Sequence, residues 1–154
     1  MHIRHQESQG NRIVLVELVT AEDYKTITKA RFFFNWKTEK KYLVYKLRIV
    51  GEKAILGLMS IQHFQAEKRI EIKLLAVSKE NRGKHKVYEG IAGNLIAYAC
   101  REAVNLHAEK GCVSLIPKDE IRNHYMKKYG MEDAGWQIFL EGLSLFRMLK
   151  KYEV

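Results

Sequence analysis

Proline is almost absent from this sequence, with Pro117 the only one among 154 residues. No Gly/Ser-rich run, low-complexity segment or internal repeat occurs, so nothing reads as a linker and one domain over 1–154 is expected. Long apolar runs are missing as well. None approaches the roughly 18 residues of a membrane-spanning helix, and the polar start MHIRHQESQGN lacks the apolar centre of a secretory signal. Cysteine is scarce: Cys100 and Cys112 sit in apolar surroundings without a metal-ligand spacing. They read as buried free thiols of a reducing cytoplasm. Histidines and carboxylates do not cluster at ligand spacing, so no metal site is expected. A Walker loop, a G-x-G-x-x-G fingerprint and a G-x-S-x-G elbow are all missing, which removes three common enzyme classes.

Positive charge, by contrast, is plentiful. The formal net charge is +9 and the pI is near 9.5, which favours an anionic partner such as a phosphorylated cofactor, a nucleic acid or an acidic substrate. The lysines and arginines are spread along the chain. There is no arginine-rich arm, zinc-finger spacing or RNA-recognition motif, so the pattern argues against a nucleic-acid partner.

Hydrophobic periodicity predicts an ordered series of elements. RIVLVEL (12–18) reads as a strand. Thr20 and Asp23 have the form of a capping box before a helix carrying Tyr24, Ile27 and Phe34, ending near Trp36. YLVYKLRIV (42–50) and AILGLMSIQHF (54–64) read as a hairpin around a glycine turn. RIEIKLLAV (69–77) alternates Ile70, Ile72 and Leu74 with Glu71 and Lys73, a strand with one apolar and one polar face. A long helix carries Ile91, Leu95, Tyr98 and Ala103 and stops near Gly111. CVSLIP (112–117) is a strand, Asp119 caps a helix running to Tyr129, and Gly130 ends it. The tail WQIFLEGLSLFRMLKKY reads as two β-rich runs divided at Glu141-Gly142. The class is mixed α/β.

The segment ENRGKHKVYEGIAGNLI (80–96) lies between strand and helix. Unpaired amides at a helix start favour anions there, and Arg82, Lys84 and Lys86 add charge. On local physics alone this is equally a phosphate cradle or a plain turn. LLAVSKENRGK followed by GIAGNLI resembles the acetyl-CoA loop of the GNAT acyltransferases, whose form is an LAV-like strand end, R-G-x-G-x-G/A and a helix. NHYMKKYGM is similar to that family's F-Y-x-K-x-G-F before its last two strands. The order of elements from Arg12 onward also fits the GNAT fold. The resemblance implies a mixed, mostly antiparallel sheet of about six to seven strands flanked by about three to four helices. It also implies acetyl-CoA as cosubstrate and a primary amine as acceptor, with direct attack of the amine on the thioester.

Residue by residue, the resemblance places backbone groups of Leu75, Ala76 and Val77 along the pantetheine arm. Arg82, Gly83, Lys84, His85, Lys86 and Gly90 would lie around the pyrophosphate. Asn123, one turn beyond Asp119, would stand in for an asparagine that binds the cofactor. Glu71 is the candidate base, acting through a water, or else a surface carboxylate paired with Lys73 or Arg69. His63, at a strand end, is another titratable group near the expected cleft. Two departures stand out. HKVYE (85–89) is an insertion that either lengthens the loop or starts the helix early near Lys86, and the periodicity of Val87 with Ile91 and Leu95 leans toward the early helix. Met126 occupies the position of the family's general-acid tyrosine, with Tyr125 one residue before it. One residue turns a helical side chain by about 100°, so Tyr125 serves as acid only if the helix is displaced. A catalytically silent acyl-CoA-binding domain is the alternative. The edges of the final two strands offer a surface on which two copies could pair.

Overall fold

The computed structural model describes all residues, Met1–Val154. The strands are β1 (His2–His5), β2 (Asn11–Leu18), β3 (Leu43–Ile49), β4 (Ile55–Phe64), β5 (Arg69–Val77), β6 (Tyr88–Glu89), β7 (Cys112–Leu115), β8 (Glu132–Ala134) and β9 (Gln137–Glu141). The helices are α1 (Lys29–Phe32), α2 (Ile91–His107), α3 (Asp119–Tyr129) and α4 (Gly142–Tyr152). The sheet order is β6-β1-β2-β3-β4-β5-β7-β9-β8. It therefore has nine strands where six to seven were expected. The surplus is the edge pair β1 and β6, two short polar strands whose pairing (Arg4↔Glu89, His5↔Tyr88) joins positions far apart in the chain. No helix is long and apolar enough to cross a membrane.

The chain forms two compact units, Met1–Ser60 with Leu74–Leu95, and Ile61–Lys73 with Ile96–Val154. In the first, Ile27, Phe32, Trp36, Val44, Ile55, Leu58 and Ala76 make a buried cluster. Burying each large side chain contributes about 1.5–3 kcal/mol. Gly57 has no room for a side chain, because a Cβ there would lie 2.6 Å from Ile91 and 3.0 Å from Leu95. This close approach seats the start of α2 on β4. In the second unit, β5 runs parallel to β7 from Arg69↔Cys112 to Ile72↔Leu115, and β7 runs antiparallel to β9. Gly111 lets the chain turn from α2 into β7, since a Cβ would meet the Ala103 carbonyl oxygen at 2.6 Å.

Three expected elements differ. The Thr20–Asp23 box forms, with the Thr20 amide donating to Asp23 Oδ2 at 2.8 Å and the Asp23 amide to Thr20 Oγ1 at 3.3 Å. The helix beyond it, however, breaks into a 3-10 turn at Asp23–Lys25, α1 and a 3-10 turn at Trp36–Lys41. Thr28 recaps the chain at α1, and Phe33 takes φ +70°, which ends it. Burial of Phe32 and Trp36 outweighs a continuous helix.

The tail also divides differently. Only its first run is a strand, β9, which pairs across a turn at Gly135-Trp136 with β8, a strand lying before the tail, and the residues after Glu141 form α4. Leu145, Met148, Leu149 and Tyr152 recur at helical spacing, and Glu141 with Ser144 completes a capping box. Finally, α3 spans Asp119–Tyr129 as expected, but its cap position is Lys118, with Asp119 in the first turn.

Candidate active site

The first unit holds the loop after β5. Ser78 and Asn81 are its buried framework: the Ser78 amide donates to the Leu56 carbonyl at 2.9 Å, and Asn81 Nδ2 donates to Ser78 Oγ at 2.9 Å. Asn81 Oδ1 in turn accepts the Tyr88 amide at 2.8 Å, and the Val87 amide donates to the Glu80 carbonyl at 3.1 Å. These bonds fold HKVYE into the loop and its β6 strand. The insertion thus lengthens the loop, and α2 begins only at Ile91. Val87 continues the helical period by coincidence of spacing and lies 39% exposed outside the helix. The early-helix expectation fails because Asn81 and β1 claim the backbone of Val87–Glu89.

Gly90 stands immediately before α2 at φ +96°, a conformation that disfavours side chains. Its carbonyl accepts the Asn94 amide at 3.0 Å and Asn94 Nδ2 at 2.7 Å. Asn94 Nδ2 also donates to the His2 carbonyl at 2.8 Å, while Asn94 Oδ1 is buried without a donor. The first amides of α2 have no intrahelical acceptor, as at any helix start. Gly83 has φ +78° with nothing near its missing Cβ, so its role is to turn the chain and not to admit a close neighbour.

Four cations, Lys79, Arg82, Lys84 and Lys86, face two carboxylates in this loop, Glu80 and Glu89. Both carboxylates are neutralised. Glu80 pairs with Arg31; burial alone would raise its pKa, but the hydrogen bonds and charge of Arg31 hold it below the ordinary value. Glu89 pairs with Arg4 and, at 3.6 Å, with Lys86, and the Arg4 hydrogen bond holds its pKa down. Arg82 lies with its guanidinium carbon 4.1 Å from the Phe33 ring centroid. Lys84 and His85 are exposed and carry no ion pair. Exposed cations beside a glycine turn, ahead of a helix start, fit the pyrophosphate of acetyl-CoA in charge and hydrogen-bonding character. Leu75, Ala76 and Val77 end β5 in this unit.

The second unit holds the remaining candidates. Glu71 is 5% exposed, although alternation puts it on the polar face of its strand. That face is covered by charge-matched partners. Arg69 Nη1 donates to Glu71 Oε1 at 3.1 Å and to Ser114 Oγ at 2.9 Å, and Lys73 Nζ donates to Glu71 Oε2 at 2.5 Å. Arg69 is held further by Glu67 at 2.7 Å and by the Phe64 ring at 4.3 Å. Tyr125 is half-buried on α3, its ring 5.6 Å from Tyr129, and Met126 is half-buried beside it. Asn123 is exposed on the same helix. Burial drives the Tyr129 pKa upward.

His63, at the end of β4, meets His107 of α2 with Nε2 atoms 2.8 Å apart. Burial, then the charges of His63 and Lys68, lower the His107 pKa below 6.5. Spacing along the chain gives no hint of this pair, since 44 residues separate its members. Burial pushes the Cys112 thiol up to about 11, and both cysteines are free. No group of three or more histidine, cysteine or carboxylate side chains is placed to hold a metal.

No family model matches the sequence, and a comparison with curated proteins finds none that matches it. Solved structures do match. The spermidine/spermine N-acetyltransferase SpeG of Vibrio cholerae is 13% identical, with a TM-score of 0.61 over 90% of this chain and 97% of that one. The IAA acetyltransferase of Bacillus cereus ATCC 14579 is 16% identical, with a TM-score of 0.56 over 80% and 79%. An N-acetyltransferase of Staphylococcus aureus Mu50 is also 16% identical, with a TM-score of 0.55 over 84% and 98%. With the sheet order, the β5–loop–α2 unit and the closing β8–β9 pair, these likenesses establish that the fold of this chain is that of the GNAT acetyltransferases.

Proposed function

We propose that this protein transfers an acetyl group from acetyl-CoA to a primary amine, in the cytoplasm, where its two free thiols stay reduced. The observation that carries the reading is the Ser78–Gly90 loop, whose exposed cations Arg82 and Lys84 follow β5 and precede α2 in a fold shared with N-acetyltransferases.

In this scheme Leu75–Val77 offer backbone groups to the pantetheine arm, and a backbone amide there polarises the thioester oxygen. A donor of that kind is typically worth about 3–4 kcal/mol of barrier. Arg82, Lys84, His85 and Lys86 take the pyrophosphate, with Gly83 and Gly90 setting the turns, and Asn123 takes a polar group of the cofactor. The amine nitrogen bonds to the carbonyl carbon and the carbon–sulfur bond breaks. Glu71 receives the amine's proton through a water, which requires Lys73 to release Glu71 Oε2, and Lys73 is exposed enough to swing away. Tyr125 returns a proton to the leaving thiolate.

A second reading, binding of acyl-CoA without transfer, is favoured by the cations on both oxygens of Glu71 and by Met126 at the tyrosine position. Calorimetric titration with acetyl-CoA, followed by thiol release over a panel of amines, separates the two. Absence of binding overturns both readings. Binding with no turnover over a broad panel selects the second.

A further inference from the structure

A pocket of about 380 Å³ opens in the first unit, apart from every residue assigned above. Leu18, Val19 and Leu43 supply its apolar surface, Tyr24 and Tyr42 its aromatic surface, and Lys40 its charge. Leu18 and Leu43 are 51% and 50% exposed, so this apolar surface lies uncovered. The volume falls in the range of about 300–1,000 Å³ typical of small-molecule sites, as does the mix of apolar walls with one charged group.

Lys40 is the one charged residue among those lining the pocket. Lys40 Nζ lies 4.6 Å from the Tyr24 ring centroid and has no acidic partner. It belongs to the 3-10 turn Trp36–Lys41, which Trp36 anchors from the core, 1% exposed, with Nε1 donating to the Phe32 carbonyl at 3.2 Å. Lys41 adds a second cation over Tyr42 at 5.3 Å. Neither neighbouring carboxylate is among the lining residues: Asp23 pairs with Lys46 at 2.6 Å, and Glu39 Oε1 accepts from the neutral Ser60 hydroxyl at 2.6 Å. Burial and the Glu39 charge raise the Tyr24 pKa, so its hydroxyl stays protonated at neutral pH.

We infer that this pocket binds a small molecule with a flat or branched apolar body and a carboxylate, the body lying on Leu18, Leu43 and the two tyrosines and the carboxylate pairing with Lys40. No carboxylate lines the pocket to pair with a free amine. The inference is independent of acetyl transfer and survives a protein that does not bind acetyl-CoA.

The test is titration of the full chain with 3-phenylpropionate, 3-phenylpropanol and 3-phenylpropylamine, read by calorimetry and by shifts of tyrosine resonances. Saturable binding of the acid is expected, with the alcohol and the amine at least tenfold weaker. Lys40→Met, a surface change that leaves the melting temperature in place, should weaken the acid at least tenfold and bring it level with the alcohol. Equal affinity for acid and alcohol in the unaltered protein would mark a plain apolar patch and overturn the proposal. So would absence of saturable binding, or acid affinity unchanged in a folded Lys40→Met protein.

Discussion

The loop between Ser78 and Gly90 and the start of β5 carry similar residues to opposite effect. In the loop the carboxylates are neutralised and Lys84 and His85 carry no ion pair, so it can still take an anion. At the start of β5 the single carboxylate, Glu71, is buried and both of its oxygens are held by cations. Charge that is satisfied internally stabilises a fold but has little left to offer a ligand. On the proposed reading the loop can bind as it stands, whereas Glu71 must first give up a bond before it can take a proton.

The sharpest way to break that comparison is Glu71→Gln. It should lower the turnover number by roughly 100-fold, the lower range for a lost general base, while acetyl-CoA affinity measured by calorimetry stays unchanged. The same variant leaves Arg69 and Lys73 with a weaker partner, and a loss of about 1–2 kcal/mol in urea unfolding is expected. Unchanged turnover would leave Glu71 as an anchor for its two cations and nothing more.

Reversing charge in the loop tests the other side. Arg82→Glu with Lys84→Glu should weaken acetyl-CoA by about 30-fold, or about 2 kcal/mol, with an unaltered melting temperature because both residues are exposed. Equal affinity in the double variant would place the phosphates elsewhere. A smaller effect is expected from Lys73→Met, which frees one oxygen of Glu71. Turnover should rise about two- to threefold, the scale of a modestly better base, whereas a fall would mean that Lys73 assists the reaction.

The smallest effect concerns His63 and His107. The folded pKa of His107 lies below its ordinary value, so the unfolded chain binds the proton more readily. Stability is therefore full above about pH 6.5 and is lost as pH falls through the lower folded value. Lys68 and the facing His63 oppose the added charge. Thermal melts between pH 7.5 and 5 should show this decline, and His107→Gln should flatten it.

Much of the fold was legible because it rests on local periodicity. The alternation in β5, the spacing of Ile91, Leu95 and Tyr98 in α2, and the glycine after Tyr129 each encode their element within a few residues. What sequence reading missed depends on distant partners. β6 exists because β1 pairs with it, and the helix expected after Asp23 yields to the burial of Phe32 and Trp36. The burial of Glu71 needs Arg69 braced by Ser114, 45 residues away, and by Gln137, 68 residues away. α4 was misread for another reason: Leu, Phe and Met suit either element, and only their spacing separates the two.

The pairing of β1 with β6 has a dynamic consequence. Arg4↔Glu89 and His5↔Tyr88 lie directly before Gly90, and Asn94 Nδ2 grips the His2 carbonyl. The amides of this first strand and of the loop's last residues should therefore lose their hydrogen-exchange protection together, as one cooperative opening unit. A ligand held by the helix start would slow exchange in residues 2–5, a segment that need not touch it.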